Sequence, residues 1–219
     1  MTSQIAAEQF VRSIAAFPIV LPRTVEVCLE TVEALAEGGA RGVEIVLRGS
    51  NAMAALGATV REFPHIAFAA GTVLTEEQLD EAVGVGARLT ISPGLCQDLV
   101  THAANSGVVH VPGVQTATEI MTAHLAGLNL LKFYPSEPAG GIEVLRDFSS
   151  IFPDMNFMPS GKITLEKLGD YAALPSVASV GGTWMFSRDG RQLEHAEIVQ
   201  RMRRSLDVLG ARGRDVATA

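Results

Sequence analysis

The amino-acid sequence predicts an α/β fold, a (β/α)₈ or TIM barrel that follows an N-terminal helix at about residues 1–15. Short β-rich runs alternate with helical patterns and show no hairpin signal, which predicts parallel strands joined by crossover helices. Eight such runs start about every 20–26 residues along the chain. Eight units favour a closed barrel over an open doubly wound sheet, which usually has five or six strands and a Gly-rich loop after the first strand.

The candidate strands are short runs rich in β-branched and apolar residues, at 17–21, 43–47, 66–70, 89–92, 108–111, 130–134, 156–158 and 177–180. Segments between them carry apolar residues at helical spacing, as at 25–37, 76–85, 118–126 and 165–173. Glycines stand where helix C-terminal caps belong, at Gly38, Gly39, Gly86, Gly107 and Gly127. Thr75 and Gln78, three residues apart, predict a capping box at the start of the helix at 76–85.

Composition limits the classes of function. Of the 219 residues, 47 % are hydrophobic and 19 % are charged, so the chain can bury a core and is not disordered. Its fully apolar stretches reach about half the length that a membrane-spanning helix needs. The formal net charge of −7 argues against a general nucleic-acid surface, and an anionic ligand would need a local positive site. No linker divides the chain, so we expect one domain over 1–219, with a frayed tail at 210–219.

The two cysteines, Cys28 and Cys96, fit neither a disulfide framework nor a zinc site. We expect both to be small buried residues in a reducing compartment. The apolar run at 14–21 has the length of a signal-peptide core, but Glu8 and Arg12 precede it and no small-residue cleavage site follows. We interpret this region as an amphipathic helix that leads into a strand, and we expect a cytoplasmic protein.

Residues at the carboxyl ends of the predicted strands are the candidates for a site, because that end of a barrel carries the chemistry. These positions are Glu44, Arg48, Thr72, Ser92, Pro93, Gly94, Pro112, Gly113, Lys132, Ser160, Gly161, Gly181, Gly182 and Thr183. Alternation along a strand puts Glu44, Val46 and Arg48 on one face. Lys132 shares a face with Leu130. If these faces line the interior, a glutamate, an arginine and a lysine converge in a confined space.

Lys132 lies inside the apolar run at 128–134, where a buried ammonium is unfavourable unless it is paired or neutral. A purely structural ion network is the alternative to a catalytic role for these charges. Burial and a nearby Arg48 would both favour the neutral amine, which is the form that a Schiff-base nucleophile requires. Glu44 would then transfer protons, and the guanidinium fork of Arg48 would hold a carboxylate.

Six short segments form a recognisable set: Val-Glu-Ile-Val-Leu-Arg at 43–48, Ala-Gly-Thr-Val-Leu at 70–74, Ile-Ser-Pro-Gly at 91–94, Leu-Lys-Phe-Tyr-Pro at 131–135, Met-Pro-Ser-Gly at 158–161 and Val-Gly-Gly-Thr-Trp at 180–184. In order and spacing they resemble the class I 2-keto-3-deoxy-6-phosphogluconate (KDPG) aldolases. This family is also called KDPG/KHG aldolase, for its second substrate 4-hydroxy-2-oxoglutarate (KHG). The likeness covers about residues 15–190, and the combination is far more specific than any single segment.

The resemblance implies a role for each matching residue. Lys132 forms the Schiff base with pyruvate or the keto-acid substrate, and Glu44 moves protons for carbinolamine dehydration and for the carbon–carbon bond step. Arg48 and Thr72 hold the pyruvate carboxylate, and Pro93 lines the pocket. The loops after the seventh and eighth strands bind the distal phosphate, through Ser160, Gly161, Lys162, Gly181, Gly182 and Thr183. The resemblance also implies a homotrimer and a reaction that needs neither a cofactor nor a metal.

The chain departs from the family pattern at four places. Gly49 follows Arg48 where the family commonly has Thr, Val46 stands where Thr is usual, and Tyr134 replaces a usual Phe. The phosphate loop usually reads Thr-Gly-Gly, whereas this chain has Lys162 at its third position. The Lys162 ammonium either adds a charge-assisted bond to the phosphate, or points to solvent while the altered backbone weakens the amide cradle.

Four histidines, His65, His102, His110 and His124, show no metal-ligand spacing. His65 follows Pro64 and is expected to be solvated. His110 lies in the fifth strand, where a core position and a pocket contact both remain open. Trp184 and Phe186 are expected to pack in the core or against a subunit rather than to stack on a ligand.

The sequence therefore predicts a class I aldolase that reversibly cleaves KDPG to pyruvate and glyceraldehyde 3-phosphate. One alternative is an aldolase of the same fold that acts on KHG or on 2-keto-3-deoxy-6-phosphogalactonate. Alternatives of another class are a phosphate-binding barrel isomerase that uses no imine, and a catalytically inactive ligand-binding barrel. Borohydride reduction in the presence of pyruvate separates the aldolase from the isomerase.

Overall fold

The computed structural model describes residues 3–210, with side chains from Ala7 onward. The helices in this range are α1 Ser3–Arg12, α2 Val25–Glu37, α3 Ala52–Glu62, α4 Glu76–Gly84, α5 Gln97–Ser106, α6 Ala117–Leu125, α7 Gly141–Ile151, α8 Leu168–Ala172 and α9 His195–Gly210. The strands are β1 Ala16–Val20, β2 Gly42–Val46, β3 Ala67–Gly71, β4 Leu89–Ile91, β5 His110–Val111, β6 Gly113–Val114, β7 Leu130–Phe133, β8 Asn156–Pro159, β9 Val180–Gly182, β10 Ser187–Arg188 and β11 Arg191–Gln192. Of the predicted frayed tail, Gly210 ends α9, and residues 211–219 lie outside the described residues.

The strands form parallel sheets, as the alternating pattern predicts. A six-stranded sheet has the order β5-β4-β3-β2-β1-β9, and a three-stranded sheet has the order β6-β7-β8. Two isolated parallel bridges, Phe157 to Val177 and Ser160 to Gly181, join the β8 side to the β9 side. The α/β fold with parallel strands curled around a common interior is therefore confirmed.

Pro112 interrupts the fifth strand directly after the predicted range 108–111, so that β5 and β6 stand on its two sides. β5 pairs with β4 as far as Val111, and β6, which starts at Gly113, pairs with β7. Pro112 between them has no N–H to donate, although its carbonyl accepts from Lys132 N at 2.9 Å. The predicted strand at 108–111 starts before the observed β5, which begins at His110. Gly113 belongs to β6 rather than to a loop.

The predicted eighth strand at 177–180 is also misplaced. β9 is Val180–Gly182, and its ladder with β1 starts where Val180 faces Ala16. Glycine is depleted in strands, so the sequence pattern ends the strand before Gly181. Gly181 and Gly182 are therefore part of the strand, and the loop after it starts at Thr183.

A short antiparallel hairpin, β10–β11, contradicts the expectation that the chain has no hairpin signal. Its turn is Asp189-Gly190, with φ of 51° and 75°. Two central residues with positive φ define a type I′ turn, for which Asp-Gly is a strong sequence signal. The Asp-Gly signal for this hairpin is therefore present in the sequence, after the last of the predicted strands.

The two faces of the strands pack against different partners. Val43, Ile45, Leu131 and Phe133 belong to the cluster shared with the helices. Alternate residues face a second, interior cluster that contains Phe17, Leu89, Ile91, Leu130 and Met158, and it extends to Val11 of α1 and to Ile14. Burying one such Leu, Ile or Phe side chain contributes about 1.5–3 kcal/mol relative to leaving it exposed. The alternation predicted around Lys132 is thus confirmed.

Caps and single residues agree with the sequence in most places. Thr75 accepts from Gln78 N, but the Gln78 side chain accepts from Leu74 N rather than from Thr75, so the predicted capping box forms only in part.

Cys28 is buried as predicted, whereas Cys96 is exposed because it directly precedes α5 at the surface. Trp184 is buried in the core, as expected. Within residues 3–210, none of the helices combines the length and the apolar character that crossing a membrane requires.

Candidate active site

Lys132 in β7 and Glu44 in β2 form a buried ion pair. Lys132 Nζ donates to Glu44 Oε1 at 3.0 Å and to Oε2 at 3.3 Å. The two residues are 6 % and 1 % exposed, so little water competes for this contact. The aromatic ring of Tyr134 lies beside the amine, with its centroid 5.4 Å from Nζ. The amine is therefore held next to a carboxylate that can accept its proton.

Gly71, at the end of β3, provides the space that Glu44 occupies. A Cβ at position 71 would lie 2.1 Å from Glu44 Oε1 and 2.6 Å from its Cγ. Because β2 and β3 pair with Val46 opposite Gly71, the glutamate side chain crosses directly over this glycine. The sequence reasoning did not assign a role to Gly71, although it quoted the segment that contains it.

A cavity of about 320 Å³ opens above Lys132 at the carboxyl ends of the parallel strands. Its lining residues are Ile19, Arg48, Thr72, Pro93, Lys132, Tyr134, Ser160, Gly161, Lys162, Ile163, Gly182 and Thr183. Two of the residues to which the resemblance assigns a role, Glu44 and Gly181, are not on its wall, and neither are the strand-end candidates Ser92, Gly94, Pro112 and Gly113. Glu44 contacts Lys132, and Gly181 is buried in β9. The structure thus brings together residues from both ends of the chain, as the strand-end prediction requires.

Two cations on the cavity wall lack partners in the described part of the chain. Arg48 and Lys162 are exposed, and neither side chain forms an ion pair or a hydrogen bond with any of residues 3–210. Lys132, in contrast, is paired with Glu44. The cavity therefore offers two free positive charges in a protein whose formal net charge is −7, which suits a ligand with two anionic ends.

The loop after β8 combines the buried hydroxyl of Ser160 with a free backbone donor at Lys162. Ser160 Oγ is fully buried and has no hydrogen-bond partner among the described residues. The carbonyls of Ser160 and Gly161 accept from Ser136 N and Glu137 N, which anchors the loop to the segment after β7. The N–H group of Lys162 has no acceptor within residues 3–210, whereas the bridge between Ser160 and Gly181 engages the N–H of Gly161. Unpaired N–H groups in such a loop can bind an anion.

Two residues on the cavity wall have left-handed backbone conformations. Thr72 has a φ of 59° and Lys162 a φ of 60°. Such conformations are unfavourable for residues other than glycine and cluster at functional sites. Lys162 thus has a backbone conformation that glycine adopts without strain, and it adds a side chain to the cavity wall.

Histidines lie outside the cavity. His110 is buried away from the wall and contacts Thr90 and Ser92, and its burial lowers its pKa to about 4. The exposed His102 has a raised pKa, mainly through its hydrogen bond to Asp80. His65 is exposed, as predicted. Across residues 3–210, no group of three or more His, Cys, Asp or Glu side chains could hold a metal ion.

The fold and the site define a class: an α/β protein with a buried amine beside a carboxylate, at the carboxyl ends of parallel strands. A sequence model of the family described as KDPG and KHG aldolase matches residues 7–202. The chain belongs to this family and is an aldolase. The resemblance stated from the sequence is confirmed.

Individual relatives agree. The 2-dehydro-3-deoxy-phosphogluconate aldolase of Pseudomonas aeruginosa is 40 % identical over 160 residues, which are 73 % of each chain. The Zymomonas mobilis ZM4 2-keto-3-deoxy-6-phosphogluconate aldolase, solved with 3-phosphoglycerate, has a TM-score of 0.85 and 32 % identity over 90 % of this chain and 94 % of its own. The Legionella pneumophila KDPG aldolase, solved with pyruvate captured at low pH as a covalent carbinolamine intermediate, has a TM-score of 0.80 and 32 % identity over 94 % of this chain and 97 % of its own.

Proposed function

We propose that this aldolase reversibly cleaves KDPG to pyruvate and glyceraldehyde 3-phosphate through a Schiff base at Lys132. The observation that carries the proposal is the buried contact of Lys132 Nζ with the Glu44 carboxylate at the base of the cavity. The names of the relatives described above support the substrate. An imine mechanism needs no cofactor or metal, because the protonated imine is the electron sink.

Glu44 first takes a proton from the Lys132 ammonium and leaves a neutral amine. The amine attacks the keto carbon of the substrate to form a carbinolamine. Glu44 then donates the proton that allows the carbinolamine to lose water and become an iminium ion. The 3.0 Å contact supports the assignment of both proton transfers to a single carboxylate.

Glu44 next acts as the base for the carbon–carbon step. It removes the proton of the hydroxyl on the fourth carbon, the bond between the third and fourth carbons breaks, and glyceraldehyde 3-phosphate leaves. The electron pair of that bond moves into the iminium and gives an enamine. Protonation of the enamine carbon and hydrolysis of the imine release pyruvate and return Lys132 to its starting state.

Arg48, Thr72 and Pro93 form, with Lys132 and Glu44, what we name the pyruvate half of the cavity. Arg48 is an unpaired guanidinium on the wall, so it can bind the two carboxylate oxygens of the keto acid. Thr72 adds a hydroxyl donor to the same group, and Pro93 supplies an apolar wall.

Ser160, Gly161, Lys162, Gly182 and Thr183 form the distal half of the cavity, to which we assign the substrate phosphate. The free N–H group of Lys162 and the buried, unpartnered Ser160 hydroxyl support this assignment. Of the two expectations for Lys162, its place on the wall favours the one in which the ammonium adds a positive charge to the phosphate site. Gly181 supports this half from within β9.

We also propose that the strands close into a (β/α)₈ barrel and that residues 1–219 form one domain. The bridges Phe157 to Val177 and Ser160 to Gly181 support closure between β8 and β9, and the run from β5 through Pro112 into β6 supports closure on the other side. The homotrimer, implied by the family, is part of this proposal, and sedimentation velocity tests it. The cytoplasmic location stays a prediction.

KHG is the second candidate substrate, because Lys162 could also bind the distal carboxylate of that smaller keto acid. Kinetics on KDPG, on unphosphorylated 2-keto-3-deoxygluconate and on KHG separate the candidates. We expect the largest kcat/KM for KDPG. Equal kcat/KM values for the phosphorylated and unphosphorylated gluconates would contradict the phosphate assignment, and a larger value for KHG would favour the second candidate.

A further inference from the structure

His110 is the buried histidine of the described chain, and the proposed mechanism does not use it. Both of its ring nitrogens have partners on the neighbouring strand. Nδ1 lies 2.9 Å from Thr90 Oγ1, and Nε2 lies 3.1 Å from Ser92 Oγ. Thr90 and Ser92 are themselves 0 % and 2 % exposed. The ring, itself 6 % exposed, therefore links two buried hydroxyl groups.

The number of available hydrogens sets the direction of each bond. Ser92 has one hydroxyl hydrogen, which it donates to the Gly94 carbonyl at 2.8 Å. Ser92 Oγ must then accept from Nε2–H of His110, which leaves Nδ1 of a neutral ring without a hydrogen. That Nδ1 accepts from Thr90 Oγ1–H. For a neutral ring, only protonation on Nε2 satisfies all three contacts.

The network ends on the turn that carries Pro93. Ser92 and Gly94 flank Pro93, which lies on the wall of the cavity, and the Ser92-to-Gly94 bond closes the turn. Gly113 lies against the other side of this turn, since a Cβ there would be 2.3 Å from the Pro93 carbonyl oxygen. The turn is thus held between a glycine contact and the hydrogen bonds that start at Thr90.

We infer that His110 is a positioning residue that fixes the Ser92–Pro93–Gly94 turn, and with it the apolar wall of the pyruvate half of the cavity. The inference rests on the proposed function, which assigns that half to pyruvate. His110 touches no substrate in this account and acts through Ser92. Burial lowers the pKa of His110 to about 4, which gives the neutral ring on which this hydrogen count rests at pH 7.

The test compares pyruvate binding with turnover in four proteins: the wild type, His110→Leu, His110→Gln and the exposed-histidine control His124→Leu. Borohydride trapping at increasing pyruvate concentration gives the half-saturating concentration, and the plateau gives the number of active sites. Steady-state kinetics on KDPG then give KM and the kcat per trapped site. A thermal melt of each variant reports stability separately.

For His110→Leu we expect the half-saturating pyruvate concentration and KM to rise about tenfold, with kcat per trapped site within about threefold of wild type. His110→Gln offers an acceptor and an N–H donor at similar reach, so it should restore most of the loss. His124→Leu should bind pyruvate as the wild type does. If His110→Leu does not fold, Thr90→Val, which keeps its shape and removes only the hydroxyl, should raise the same concentration about threefold.

Wild-type half-saturation in every folded variant, with only the melting temperature lowered, would overturn the inference and leave His110 a purely structural residue. A fall in kcat per trapped site at unchanged half-saturation would also overturn it, because Pro93 contributes to binding alone. Absence of any adduct in the wild type would overturn the proposed function itself and the inference with it. The trapping plateau of the wild type therefore distinguishes the two failures.

Discussion

The two halves of the cavity are built from different groups. In the pyruvate half, side chains make the site: Lys132 and Glu44 contact each other and are almost completely buried. In the distal half, the loop backbone with the free N–H of Lys162, and the exposed Lys162 side chain, make the site. A side-chain site depends on the identity of each residue, whereas a backbone site depends on conformation.

This difference accounts for one of the four departures from the family pattern, the one at Lys162. Lys162 has a φ of 60° at a position where glycine is usual, so the loop keeps a left-handed conformation despite the new side chain. The N–H of residue 162 remains a free donor. The proposed mechanism allows no comparable exchange at Lys132 or Glu44, because a replacement there removes the group to which it assigns the chemistry.

The largest effect should come from Lys132→Met, which removes the amine from the pyruvate half and keeps an apolar chain of similar length. We expect turnover to fall by about 10⁴-fold or more, as loss of a nucleophile does. The control is Lys167→Met, an exposed lysine that lies off the cavity wall and should retain turnover. If Lys132→Met retained turnover within tenfold of wild type, a residue other than Lys132 would carry the reaction.

Glu44→Gln keeps the shape of the side chain and removes the proton acceptor. We expect adduct formation with pyruvate to persist while turnover of KDPG falls roughly 10²–10⁴-fold, the usual contribution of a positioned acid–base group. Steady-state rates beside those of the exposed control Glu143→Gln measure this effect. A Glu44→Gln enzyme that keeps most of its rate would reduce Glu44 to an ion-pair partner of Lys132.

Gly71→Ala should disturb the pyruvate half without changing any reacting group. The added Cβ must displace Glu44, whose Oε1 would lie 2.1 Å away, so we expect kcat to fall about 10²-fold. Gly84→Ala in α4 is the matched control, because no heavy atom lies within 4 Å of its Cβ position. Equal rates for the two variants would show that the placement of Glu44 does not limit turnover.

A substitution in the distal half should change the kinetics less than the substitutions above. Lys162→Gly removes the ammonium and relieves the left-handed strain, so the backbone cradle remains. We expect KM for KDPG to rise about three- to tenfold, as for an exposed charge that contacts a phosphate, and pyruvate trapping to stay unchanged. Lys162→Gln, which keeps the side-chain stem, separates charge from backbone. An equal change in KDPG kinetics and in pyruvate trapping would contradict the division into two halves.

The sequence predicts most of the fold because parallel strands and their helices leave strong periodic signals. The exceptions have local physical causes: Pro112 splits a strand, Gly181 and Gly182 extend one, and the Asp189-Gly190 turn forms a hairpin outside the repeating units. The candidate site residues also converge because strand ends meet at one edge. The roles of Gly71 and His110 could not be predicted, since they depend on contacts across strands that no spacing along the chain encodes.

The most direct test of the central claim is to find which nitrogen pyruvate traps. The chain has only three lysines, Lys132, Lys162 and Lys167, so borohydride reduction with pyruvate followed by peptide mass mapping is unambiguous. Lys162 shares the cavity with Lys132 and is the internal competitor. The account predicts one reduced pyruvyl group per chain, on Lys132. An adduct on Lys162, or no adduct at saturating pyruvate, would contradict it.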